Sequence, residues 1–185
     1  MRKMVCMIVI AWVLVGGGQV FASDAFMVTS PTLKAGSSMV QKHVLNGFGC
    51  SGENVSPELN WQNAPEGTKS FAITVYDPDA PTGSGWWHWV VFDLPVTMNG
   101  VGAGFGNEGF GVPAGVIQSR TDFGKAGYGG ACPPKGHGDH SYIFTVYALD
   151  VATLGLTVES PAAMVGYHLG GHTLAKAVFT VPYGR

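Results

Sequence analysis

The chain has 185 residues, 46% of them apolar and 12% charged, with a formal net charge of −2. That apolar share supports a packed core and excludes a disordered chain, and the mild acidity argues against nucleic acid as the partner. Glycine is high at 28 residues, about twice ordinary usage, without the Gly-X-Y period of collagen.

Arg2 and Lys3 precede an unbroken apolar run from Met4 to Val15, which Gly16, Gly17 and Gly18 end. Val20-Phe21-Ala22 then offers a cleavage site, the layout of a secretory signal peptide over residues 1–22. A run of about 12 residues is short for crossing a bilayer, so a retained anchor is the weaker alternative. No later stretch reaches 18 apolar residues, so no transmembrane segment is expected after cleavage. Residues 23–185 then form a single domain, periplasmic or secreted. Cleavage discards Cys6 and leaves Cys50 and Cys132, an even pair in an exported chain. One disulfide is the economical reading, with two buried thiols as the alternative.

Along the mature chain, Phe26 to Ser30 and Leu59 to Trp61 predict short strands. Ser70 to Tyr76 alternates with period two and is apolar on both faces, which predicts a central strand. His88 to Leu94 alternates too, with His88, Val90, Phe92 and Leu94 on one face and Trp89, Val91 and Asp93 on the other. The glycine-rich stretches 100–115 and 124–138 predict long functional loops. Ser141 to Leu149 is a second central strand. Ser160 offers an N-cap and Pro161 a first helical position. Gly166, Gly170 and Gly171 should break the helix that follows. Phe179 to Tyr183 predicts a last strand, and Pro182 places it at an edge. The whole is a mainly β, sandwich-type fold with a short C-terminal helical segment.

Chemistry gathers in two segments, Asp77-Pro78-Asp79-Ala80-Pro81 with Trp86-Trp87-His88-Trp89, and the stretch from Gly129 through Cys132, Pro134 and His140 to Tyr142. Each acidic or histidine residue stands at the mouth of a predicted strand. Side by side, those strand ends would bring two carboxylates, two imidazoles and a phenol to one rim. Three readings are open. His88, His140, Asp77 and Asp79 could ligate a metal, but no H-E-x-x-H or C-x-x-C spacing supports it. A hydrolase would want an activated nucleophile, and no G-x-S-x-G elbow is present. An anion pocket would want donors and backbone N–H groups, which the Gly129 to Gly138 loop could supply.

These motifs resemble the phosphatidylethanolamine-binding protein family, and most closely its bacterial Raf kinase inhibitor-like branch. Cys50-Ser51-Gly52-Glu53-Asn54-Val55-Ser56-Pro57-Glu58-Leu59-Asn60-Trp61 and Gln118-Ser119-Arg120-Thr121-Asp122-Phe123-Gly124 resemble that branch as well. The resemblance runs from about Phe26 to Arg185. It implies a sandwich of antiparallel sheets and a small pocket for a phosphate-like anion or phospholipid headgroup. The pocket residues it implies are Asp77, Asp79, His88, Cys132, Pro134, His140 and Tyr142, with no metal and no cofactor. It also implies a binder, able to modulate or inhibit another protein, rather than an enzyme. Ser141 and Thr121 depart from the family pattern. Two alternatives stand beside the binding module: a phosphoester hydrolase using the Asp/His cluster, and a serine protease inhibitor acting through the loop 100–115.

Overall fold

A computed structural model describes residues 25–185. The expected signal peptide lies outside the described residues. In chain order the elements are β1 (Met27–Thr29), a 3-10 turn (Gln41–His43), β2 (Asn46–Gly47), β3 (Cys50–Ser51), β4 (Leu59–Gln62), β5 (Ser70–Asp77) and β6 (Trp86–Pro95). Then follow β7 (Gly100–Val101), β8 (Ile117–Gln118), β9 (His140–Leu149), α1 (Ala162–His172) and β10 (Thr173–Tyr183). No helix among the described residues is long and apolar enough to cross a membrane.

Five strands form the main sheet in the order β10-β9-β5-β6-β8, and β1-β4-β7 form a smaller one. The expected central strands are internal, and β10 lies at an edge with Pro182 in it, where a missing N–H does least harm. Between the two sheets Leu59, Trp61, Phe71, Ile73, Trp89, Val91, Phe144 and Val146 form the larger core. On the other face of the main sheet, Ala72, Val90, Phe92 and Leu149 receive Ala162, Val165 and Leu169 of α1.

Two irregularities in β6 break the alternation read from the sequence. Val75 pairs with Trp89 and Tyr76 with Trp87, so His88 is an extra residue in the ladder. A second shift accompanies Asp93, whose φ is +59°. Leu94 therefore joins Val91 in the larger core, while Phe92 faces the helix, instead of Leu94 sharing a face with Phe92. Asp93 stabilises the turn by accepting from Thr153 Oγ1 at 2.8 Å and from the Leu154 N–H at 2.9 Å.

The C-terminal helix also differs from the expectation. It is one continuous helix, because burial of Ala162, Val165 and Leu169 outweighs the weak propensity of Gly166, Gly170 and Gly171. Ser160 is not its cap. Pro161 occupies that position, and the Ser160 hydroxyl accepts from the Thr157 N–H at 3.0 Å. The chain passes straight from His172 into β10.

Candidate functional site

The sheet order builds the site. β5 runs antiparallel to both of its neighbours, so its C-terminal end meets the N-terminal ends of β6 and β9. Asp77 at the end of β5 is thereby set beside Trp86 and His88 and beside His140 and Tyr142. These five side chains line one cavity of about 210 Å³. Cys132, Pro133 and Pro134 close one wall, Ala80, Pro81 and Thr82 another, and Leu45, Phe48 and Phe123 a third. The walls are thus mainly apolar, with the polar groups at the strand ends.

The polar groups are ordered by hydrogen bonds. His140 Nδ1 lies 2.8 Å from Asp77 Oδ2, and both side chains are buried. A carboxylate oxygen accepts, so Nδ1 carries the proton and Nε2 is left for other partners. Asp77 Oδ1 accepts the Asp79 N–H at 2.8 Å. His88 Nδ1 lies 2.8 Å from the Gly129 carbonyl and donates to it, which leaves Nε2 as an acceptor in the neutral ring. Burial lowers the pKa of His88, so the neutral form dominates over most of the physiological range. The Tyr142 hydroxyl is buried, and among the described residues its O–H meets no acceptor, while the Cys132 backbone N–H faces its oxygen. Burial raises its pKa well above the ordinary tyrosine value, so it remains an O–H donor. The His88 ring meets Tyr142 edge-on at 5.1 Å and Phe123 at 5.3 Å, which fixes its plane.

Of the residues expected at the rim, Asp77, His88, Cys132, Pro134, His140 and Tyr142 come together around the cavity. Asp79 does not line it. Its Oδ2 accepts the Ser141 N–H at 2.7 Å, so it holds the start of β9 in place behind the cavity wall. Tyr142 is buried while Ser141 is only half-buried on the other face of β9, as the strand period requires. Cys50 and Cys132 form a disulfide, tying the β2–β3 hairpin to the cavity wall.

The glycine loop works differently from the expected anion cradle. The Gly129 N–H donates to the His88 carbonyl at 2.9 Å, and the Gly130 N–H to Asn54 Oδ1 at 2.7 Å. Both amides are therefore occupied by the protein. Glycine is needed at 130 for space, since a Cβ there would stand 2.4 Å from the His43 carbonyl oxygen. Within the loop 100–115, Phe105 and Gly106 are packed inward rather than exposed. Phe105 is buried, and the Gly106 N–H donates to Ser56 Oγ at 2.8 Å.

Phe48, Leu45 and Phe123 were beyond sequence reasoning as pocket residues, because they come from separate loops. A signal existed for Phe48, an aromatic flanked by Gly47 and Gly49. It stacks on Phe123 with ring centroids 5.8 Å apart and is 72% exposed. Among the described residues no group of three His, Cys, Asp or Glu side chains is arranged to hold a metal ion.

A family model described as phosphatidylethanolamine-binding protein matches residues 32–184. YbcL of Escherichia coli (strain K12) is 51% identical over 160 residues, covering 86% of this chain and 87% of its own length. YbhB of the same organism is 51% identical over 154 residues, covering 83% of this chain and 97% of its own. The crystal structure of E. coli YbcL, described as a new member of the mammalian family, matches with a TM-score of 0.84 at 50% identity. That match covers 86% of this chain and 98% of the other.

Proposed function

Because the chain belongs to the phosphatidylethanolamine-binding protein family, we propose that this cavity binds the phosphoryl group of a small phosphomonoester or lipid headgroup, and that the protein works as a binder rather than an enzyme. The observation that carries this reading is the buried Tyr142 hydroxyl, whose O–H has no acceptor among the described residues. A buried donor without an acceptor is unfavourable by about 1–3 kcal/mol, and a phosphoryl oxygen relieves that penalty. Both imidazoles line the same cavity as that hydroxyl. His140, held against Asp77, donates from Nε2 when protonated, and His88 accepts at Nε2.

That donor and acceptor set selects the protonation state of the ligand. A phosphomonoester monoanion carries one O–H, which donates to His88 Nε2. The dianion has no proton to give and meets both that lone pair and the Asp77 carboxylate. The second phosphate ionisation lies near pH 6, so affinity falls as pH rises towards 8.

Hydrolysis is the weaker reading. It needs a nucleophile within hydrogen-bond reach of a base, and Ser141 lies on the face of β9 away from Tyr142. Export to the periplasm or beyond is part of the proposal. It is supported by the N-terminal signal layout and by the Cys50–Cys132 bridge, which suits an oxidising compartment.

Titration calorimetry of the mature protein with phosphoethanolamine at pH 5.5 and pH 8 tests the reading. Binding at pH 5.5, weaker at pH 8 and about tenfold weaker in Tyr142→Phe, is the expected result. Equal affinity at both pH values, or an unchanged affinity in Tyr142→Phe, contradicts it.

A further inference from the structure

A second cavity, of about 280 Å³, adjoins the first and shares Leu45, Phe48 and Phe123 with it. The partition between the two is therefore the stacked pair of Phe48 and Phe123. Phe48 forms a two-residue turn with Gly49 between β2 and β3, with φ of +51° and +80°. Such turns favour asparagine, aspartate or glycine, and a bulky side chain at positive φ is an outlier. This aromatic is held there from several sides. The disulfide fixes Cys50 to the cavity wall. The Arg185 guanidinium donates to the Phe48 carbonyl at 3.2 Å, the Gly49 carbonyl at 2.9 Å and the Pro133 carbonyl at 2.7 Å. An exposed aromatic in a strained turn, clamped at the junction of two cavities, fits a surface that a ligand crosses.

The two cavities differ in charge. Among the described residues no lysine or arginine lines the first. The second is lined by Lys125, along with Asn46, Asn54 and Thr121. Asn54 and Thr121 are occupied, since Asn54 bonds Tyr128 and Gly130, and Thr121 bonds Lys125 and Phe123. Lys125 Nζ donates to Glu108 at 2.6 Å, both side chains being largely exposed, and Glu108 borders a third cavity that Lys125 also lines, so the ammonium serves the second cavity by turning away from Glu108. An ammonium has three donors, so two remain.

We infer that the second cavity is a subsite for a second anionic group, so that the ligand is an elongated phosphomonoester whose arm passes the Phe48–Phe123 pair and ends near Lys125. This rests on the proposed phosphoryl site in the first cavity. The second group is a carboxylate or another small anion, recognised by the lysine in competition with Glu108.

The test is calorimetry at pH 5.5 with inorganic phosphate, with alkyl phosphates of two to six methylenes, and with the same series ending in a carboxylate. At one chain length the carboxylate should improve affinity at least fivefold over its alkyl twin. Lys125→Gln should abolish that gain and leave the alkyl twin within twofold of the wild type, and Glu108→Gln should enlarge it. Phosphate binding with no carboxylate gain at any length, or a gain that survives Lys125→Gln, overturns this inference alone. Failure of every ligand to bind the wild type overturns the phosphoryl site and this inference with it.

Discussion

Asp77 is the residue on which most of the cavity depends. Its two oxygens have different duties, one accepting the Asp79 N–H and the other facing His140 Nδ1. An asparagine there can still accept from Asp79, but its NH₂ group would then oppose the Nδ1–H of His140. Removing the charge also takes a carboxylate acceptor away from the buried Nδ1–H of His140. The Asp77→Asn variant should therefore lose about 2–4 kcal/mol of stability, read by chemical denaturation. Its phosphomonoester affinity should fall with it. Asp79→Asn keeps an acceptor for the Ser141 N–H, so it should have a much smaller effect on both. A denaturation midpoint for Asp77→Asn within error of the wild type would refute this account of the pair.

At the scale of elements, the cavity is a product of antiparallel neighbours and one cross-link. The β2–β3 hairpin holds Phe48 at the mouth, and the Cys50–Cys132 bridge fastens it across a sequence separation of 82 residues. Closing a loop of that length is worth about 4 kcal/mol in the chain-entropy model. Reduction, or the Cys50→Ala/Cys132→Ala pair, should lower stability by up to that amount. It should also weaken ligand binding at temperatures where the sheet is still folded, because only non-covalent contacts, those of Arg185 and the Phe48–Phe123 stack among them, then hold the hairpin. Near-ultraviolet circular dichroism, followed together with binding during reduction, separates the two effects. Simultaneous loss of both signals would contradict a local role for the bridge.

The same scale explains what was legible in the sequence. β5, β6 and β9 stand out because half-buried and buried strands impose period two or continuous apolar runs. That Tyr142 and Ser141 face opposite ways follows from that period. The extra residue at His88 and the turn at Asp93 do not follow from it, because a bulge leaves no mark on the hydrophobic pattern. Asp79 was placed at the rim by its position beside Asp77. Its side chain turns instead to an N–H at the start of β9, a partner that only the sheet pairing brings near. Gly129 and Gly130 read as an anion cradle by composition, yet close packing against the His43 segment and Phe123 accounts for them. Leu45, Phe48 and Phe123 join the cavity by tertiary contact alone.

Across the whole molecule, two histidines are buried in neutral form on opposite duties. His88 supports the cavity, while His43 Nδ1 donates to the Val55 carbonyl at 2.6 Å and its Nε2 accepts from Thr32 Oγ1 at 2.8 Å. Burial lowers the pKa of both. In the unfolded chain they return to the ordinary value of about 6.5 and bind protons first as pH falls. Their contribution to stability is therefore full above about pH 6.5 and is lost as pH drops towards their lowered folded values. Each ring can remove up to about 1.4 kcal/mol per pH unit in that window. The thermal midpoint should fall between pH 7.5 and pH 5.5, and fall less in His43→Gln. A midpoint that rises on acidification over this window would contradict the neutral assignment. The two acid effects oppose each other in a useful way, since ligand binding strengthens over the range in which the empty protein weakens.

The central claim is that the phosphoryl group sits on His88, His140 and Tyr142, and the histidine side chains report this directly. The chain contains six histidines. With ¹⁵N-histidine-labelled mature protein at pH 6, ring nitrogen resonances can be followed by NMR while methyl phosphate is added. The account predicts saturable shifts at His88 Nε2 and His140 Nε2, with His43, His168 and His172 unmoved. Shifts confined to the half-buried His168 and His172, or no saturable shift at His88 and His140, would contradict it.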